Sequence, residues 1–146
     1  MGAPIERWKN VKGFRGRYEV SSMGRIRSCL EKSVLKDPER VMKQQTHWKG
    51  YKIIFLRTKG VKRKYFVHRL VGEAFLSNKA GLPIVNHKDG VRHNNVLENL
   101  EWVSHWGNSV DKLQRARRVA ALAKLPDTPE QIAQEGDMLD HALSNF

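Results

Sequence analysis

The stretch Val85 to Asn108, VNHKDGVRHNNVLENLEWVSHWGN, decides how this chain folds. Leu82-Pro83-Ile84-Val85-Asn86-His87 reads as a short strand, and Lys88-Asp89-Gly90 as the turn that ends it. A loop carrying Asn94 and Asn95 leads to a second strand, Leu100-Glu101-Trp102-Val103. Ser104 then offers a hydroxyl to cap a helix from His105 to about Lys124, where Leu125-Pro126 stops it. The order is strand, turn, loop, strand, helix, with His87 on the first strand and Asn108 on the helix.

Upstream, Val67, Leu70, Val71, Ala74 and Phe75 recur at the spacing of a short amphipathic helix. His68 and Arg69 fall off that stripe; His68 could face DNA, or serve a helix-surface or hydrogen-bonded structural role. Gly50 to Arg57 is the clearest strand, and Lys59-Gly60 turns it into Val61 to Phe66, an antiparallel hairpin. On such a hairpin Lys62 and Lys64 share one face, while Lys52 and Arg57, five apart, take opposite faces. Tyr18-Glu19-Val20 and Arg25-Ile26-Arg27 are shorter extended runs around a Ser21-Ser22-Met23-Gly24 turn. Beyond Pro126, Thr128, Pro129 and Gln131 have the pattern of a second helix start.

Composition narrows the function classes. The 146 residues carry 27 Lys+Arg against 15 Asp+Glu, a net charge of +12, which points to a polyanionic partner. Residues 1–70 hold 19 of the basic residues and 5 acids, whereas 126–146 hold no basic residue and 5 acids. Phosphate affinity is therefore expected in the first half. A single cysteine, Cys29, excludes an internal disulfide and a cysteine-based zinc site, and suits a reducing cytoplasm. Apolar runs are too short to span a bilayer, and Met1 to Lys12 lack a signal-peptide core, so no membrane partner is expected.

The residues Val67-His68-Arg69-Leu70-Val71 through Phe75, Val85-Asn86-His87-Lys88-Asp89-Gly90, Asn94-Asn95 and Asn99-Leu100-Glu101-Trp102 together resemble the ββα-metal nucleases of the HNH class. The likeness is greatest to phage-type HNH homing endonucleases. Trp8, Tyr18-Glu19-Val20-Ser21, Gly24-Arg25 and Arg27-Ser28 resemble the DNA-binding module often found ahead of that nuclease domain. The resemblance spans about residues 7–29 and 47–110. Each motif is weak alone; their order and spacing are specific.

The resemblance implies an α+β protein with a basic, antiparallel β-rich DNA-binding module over 1–46. An HNH core over 47–110 and a C-terminal helical tail over 111–146 follow. It implies metal-dependent hydrolysis of double-stranded DNA with Mg²⁺ or Mn²⁺, in a bacterial or phage-infected cytoplasm, by a monomer or homodimer. His87 would be the general base, a neutral imidazole near pH 7 that takes a proton from water. Asn99 would tie the loop between the strands and aim His87. Asn86 and Asn108 would be the metal ligands, with the cation holding charge on phosphate and leaving oxygen. Because adjacent strand residues point to opposite faces, a metal on Asn86 and a water on His87 require a twist or bulge there. Asp or His often stands at position 86 in such sites. A pair of neutral amides binds a hard cation more weakly than a carboxylate, so the ion would lean on DNA phosphate and water.

Arg25, Arg27, Lys52, Arg57, Lys62, Arg63, Lys64 and Arg69 are the candidate DNA contacts, with Arg25 and Arg27 reaching base edges. Asp89 before Gly90, and Asn94 with Asn95, read as loop-forming residues, and Trp102 and Trp106 as packing residues. A competing reading is a DNA-binding protein with a weak or inactive site; RNA binding would draw on the same charge and aromatic residues.

Overall fold

A computed structural model describes residues 2–29 and 40–123. The stretch around Asp37-Pro38, the helix stop at Leu125-Pro126, the second helix start and the acidic tail lie outside the described residues. Residues 1–109 form one compact unit, and 110–146 a second. The fold is α+β.

Three small antiparallel sheets and a short helix build the first unit. Strands β1 (Trp8–Asn10), β2 (Tyr18–Ser21) and β3 (Ile26–Ser28) form the first sheet in that order. The Ser21–Gly24 turn joins β2 to β3, closed by a Gly24 N–H bond to the Ser21 carbonyl (3.0 Å). Val20 opposes Ile26, and both side chains are fully buried. Glu19 and Arg27 are paired in the alternate register, on the other face of the sheet.

β4 (Gln45–Thr46), β5 (Lys52–Thr58) and β6 (Val61–Phe66) form the second sheet. The two-residue connection Lys59-Gly60 has positive φ at both positions (48° and 78°), as a tight hairpin turn requires. Strand alternation sends Ile54 and Leu56 into the core. The opposite face receives Phe55, Arg57, Lys62 and Lys64, because Phe55 pairs with Lys64 and Arg57 with Lys62. Lys52 belongs to the other face, as its spacing from Arg57 predicts.

The chain passes from β6 directly into helix α1 (Val67–Phe75). Val67, Leu70 and Val71 are buried as expected, but so is His68, with 9% of its surface exposed. Of the roles weighed for His68, the DNA-facing and helix-surface ones do not suit this burial: Tyr51 and Phe66 cover a second side of α1, with ring centroids 5.2 and 5.6 Å from His68. Gly72 brings α1 close to the third sheet, since a β-carbon there would stand 2.8 Å from Val85 Cγ2.

That sheet is β7 (Ile84–His87) with β8 (Leu100–Val103), and its register runs unbroken from Ile84↔Val103 to His87↔Leu100. A 3-10 turn, Leu97–Asn99, leads into β8, and α2 (His105–Leu122) follows it. The Ser104 hydroxyl accepts the Gly107 N–H at 3.1 Å, the expected cap. One core, including Val11, Phe14, Tyr18, Val20, Ile26, Ile54, Leu56, Val67, Leu70, Val85 and Leu100, joins all three sheets to α1. Trp102 packs against it, but Trp106 is 78% exposed, so its expected packing role is not found among the described residues. No described helix is long and apolar enough to cross a membrane.

Candidate active site

His87 ends β7 with its imidazole buried, and its Nε2 lies 2.8 Å from Asn95 Oδ1. An amide oxygen can only accept, so this pairing places the ring proton on Nε2 and the lone pair of the neutral ring on Nδ1. Tyr51 and His68 wall the imidazole, with centroids at 6.0 and 5.1 Å. Burial, reinforced by the adjacent His87 and by the positive charge of Arg69, pushes the His68 pKa down to about 3. Among the described residues its Nδ1 is buried without a hydrogen-bond partner.

The loop between β7 and β8 is organised by Asn99 and Asp89. Asn99 Oδ1 accepts the Asp89 N–H at 3.0 Å, while its Nδ2 donates to Asp89 Oδ1 at 2.9 Å and to the Asn94 carbonyl at 2.8 Å. Asp89 also accepts the Val91 N–H (2.7 Å) and the Asn94 amide (2.7 Å). Partial burial pushes its carboxyl upward, but these donors outweigh that and hold its pKa below the ordinary value. Asp89 is thus a turn residue, and Asn99 spans the loop that carries Asn95.

The loop is also held from the N-terminal module. Leu97 N–H donates to the Ser22 carbonyl at 2.8 Å. Gly24 lies against Asn95, and Gln44 Nε2 donates to the Gly24 carbonyl at 2.7 Å.

The bulge that a shared metal and water would need is not found: Asn86 precedes His87 in regular register, so the two side chains leave opposite faces of the hairpin and meet different partners. Asn86 Nδ2 donates to Glu101 Oε1 at 3.0 Å, across the Asn86↔Glu101 register pair. Asn108 stands half-buried in the first turn of α2, its N–H bonded to the Ser104 carbonyl at 3.0 Å. Among the described residues no group of three His, Cys, Asp or Glu side chains is placed to hold a metal. Amide and carboxylate oxygens are nevertheless the donors a hard divalent cation prefers when phosphate and water complete its shell. The donor chemistry of Asn86, Glu101 and Asn108 fits such an ion.

The basic residues separate into two groups. Arg57, Lys62 and Lys64 share the outer face of the β5–β6 hairpin, with Lys62 Nζ 5.2 Å from the Phe55 ring and Lys64 Nζ 5.7 Å from Phe66. Arg63, paired with Leu56, leaves the other face at an exposed position, and Arg69 is exposed on α1. Lys52 Nζ donates to Thr46 Oγ1 at 2.8 Å.

Arg25 and Arg27 are held in place instead. Arg25 pairs with Glu6, and this hydrogen bond holds the Glu6 pKa below its ordinary value. Arg27 pairs with Glu19 at 2.6 Å, and the two guanidinium carbons lie 5.8 and 4.3 Å from the Trp8 ring.

Sequence reasoning missed four participants: Asn95, His68, Tyr51 and Glu101. The Asn94-Asn95 doublet marked a loop but not the hydrogen bond to His87. Counting residues back along an antiparallel pair would have found Glu101 opposite Asn86.

Comparison with known proteins agrees with this architecture. Residues 6–57 match the NUMOD4 motif and residues 65–110 the HNH endonuclease family. A solved structure of DNA binding and cleavage by the HNH homing endonuclease I-HmuI superposes with a TM-score of 0.64 at 33% identity, covering 81% of this chain and 66% of that one. This chain carries a NUMOD4 motif followed by an HNH endonuclease domain.

Among curated members of the family, the DNA endonuclease I-HmuI of Bacillus phage SP01 is 34% identical over 108 residues. An uncharacterized HNH endonuclease of Acanthamoeba polyphaga mimivirus is 35% identical over 105 residues. Those alignments take in 74% and 72% of this chain but 58% and 29% of the relatives, so it spans little more than half of one and under a third of the other.

Proposed function

We propose that the protein is a DNA endonuclease that hydrolyses phosphodiester bonds with a divalent metal ion, Mg²⁺ or Mn²⁺. The observation that carries this reading is the 2.8 Å pairing of His87 Nε2 with Asn95 Oδ1. It supports a neutral imidazole protonated on Nε2, whose Nδ1 can accept a proton as a general base must.

In this reading Nδ1 of His87 takes the proton from the attacking water, and Asn95 keeps the ring from rotating as its charge changes. Tyr51 and neutral His68 form the walls that keep the imidazole in one orientation. Asn99 holds the loop on which Asn95 stands. Asn86 and Asn108 would hold the cation. For that ion to share a phosphate with the water on His87, the end of β7 has to twist from the regular register, in which the two side chains leave opposite faces. When bound, the ion supplies Lewis-acid stabilisation of the charge on phosphate and leaving oxygen.

Double-stranded DNA is the proposed substrate, met in the cytoplasm of a bacterial or phage-infected cell by a monomer or homodimer. Arg57, Lys62 and Lys64 form a basic face suited to backbone phosphates, with Lys52, Arg63 and Arg69 beside it. Arg25 and Arg27, paired with Glu6 and Glu19 beside Trp8, are the proposed readers of base edges, a role that requires them to exchange those carboxylates for DNA. Organisation into a module over 1–46, a nuclease over 47–110 and an extension over 111–146 belongs to the same proposal.

Supercoiled plasmid incubated with the protein in Mg²⁺, Mn²⁺ or EDTA tests it. Open-circle or linear product with metal and none with EDTA is expected; equal conversion in EDTA would overturn the metal-dependent reading.

A further inference from the structure

Position 86 sets a problem in charge. Asn86 is a neutral amide where a divalent cation needs anionic oxygen, and neutral ligands leave such an ion weakly held. The carboxylates nearby are differently committed. Asp89 is consumed by the loop, with both oxygens accepting hydrogen bonds from Val91, Asn94 and Asn99.

Glu101 is placed otherwise. It is the cross-strand partner of Asn86, so its side chain leaves the same face of the hairpin. Its Oε1 accepts from Asn86 Nδ2 at 3.0 Å. A carboxylate can only accept, so the amide nitrogen must face it and Asn86 Oδ1 must point elsewhere. Among the described residues Oε2 of Glu101 has no hydrogen-bond partner. Glu101 is half-buried rather than enclosed.

We propose that Glu101 supplies the anionic oxygen of the metal site, binding the divalent cation through Oε2 beside Asn86 Oδ1, so that charge absent from β7 is provided by β8. The hydrogen bond between the two side chains then aims both of these oxygens rather than merely joining the strands. This inference rests on the metal-dependent reading above, and its test separates the two.

The test is Mn²⁺ binding to the full chain, followed by electron paramagnetic resonance of the free ion, for the native protein, Glu101→Gln and Asn86→Asp. Glutamine keeps an oxygen that accepts from Asn86 and removes only the charge, so circular dichroism and thermal unfolding should match the native protein. Mn²⁺ affinity should fall about 10- to 100-fold in Glu101→Gln. It should rise in Asn86→Asp and return toward native in the double variant.

Native-like Mn²⁺ affinity in Glu101→Gln, or no Mn²⁺ bound by the native protein, would overturn the proposal. Plasmid cleavage run in parallel keeps the readings apart. Metal-dependent cutting with unchanged Mn²⁺ binding in Glu101→Gln overturns the role of Glu101 alone. Charge-dependent Mn²⁺ binding without cutting supports Glu101 and overturns the nuclease reading.

Discussion

Gly24 lies so close to Asn95 that a β-carbon on it would stand 2.8 Å from the Asn95 β-carbon and 2.9 Å from its carbonyl oxygen. Asn95 in turn carries the oxygen that holds His87. The turn of the N-terminal sheet is therefore one wall of the loop that orients the proposed base. Gly24 also has φ +78°, a conformation that disfavours any side chain.

Gly24→Ala should therefore strain the turn and push Asn95 off His87. The combined overpacking and left-handed backbone cost is about 2–4 kcal/mol. A urea midpoint shifted by that amount, with cleavage reduced beyond the loss of folded protein, is the expected outcome. Unchanged stability would show that the turn yields without cost.

Asn95→Ala removes the proposed acceptor of the His87 Nε2 proton while leaving the proposed metal ligands and the basic face in place. Turnover should drop about 10- to 100-fold, the usual range for a residue that orients a reacting group. KM for DNA should stay within about twofold, because every proposed phosphate-binding side chain is still present. Single-turnover kinetics would show it, and a fall confined to DNA affinity would contradict the assignment.

His68 gives the protein an acid limb. Its folded pKa of about 3 lies below the ordinary 6.5, so between those values the unfolded chain binds a proton that the folded chain does not. Its contribution to stability is complete above about pH 6.5 and is lost as pH falls toward 3, at up to about 1.4 kcal/mol per pH unit. Denaturant titrations across that window should show the slope in the native protein and a shallower one in His68→Phe. Parallel profiles would contradict it.

The β5–β6 face predicts salt dependence. Replacing Arg57, Lys62 and Lys64 together by Gln should lower the slope of log affinity against log salt by about 2–3, since each phosphate that a basic side chain neutralises adds about 0.9 to it. Folding stability should change by less than about 0.5 kcal/mol per site, since these side chains lie on the outer face of the hairpin. An unchanged slope in filter binding would remove this face from the DNA interface.

Much of this was legible in the sequence because it is local. The β7–β8 hairpin, the Ser104 cap and α1 are written in alternation, capping chemistry and helical spacing, each contained within a few neighbouring residues. The opposition of Lys52 and Arg57 follows from strand period alone.

What was not legible depends on parts of the chain meeting at long range. His68 falls off the apolar stripe of α1, and only the arrival of Tyr51 and Phe66 buries it. Asn95 looks like any loop asparagine until Gly24 and Ser22 close on its loop.

The central claim is that His87 is the base of a DNA nuclease. The most direct test compares native protein and His87→Ala for cleavage of supercoiled plasmid in Mg²⁺, with DNA affinity and folded fraction measured on the same samples. The account predicts that cleavage is lost, by at least about 100-fold as for a general base, while affinity and folding remain. Cleavage that survives the substitution, or falls only as affinity falls, would contradict it.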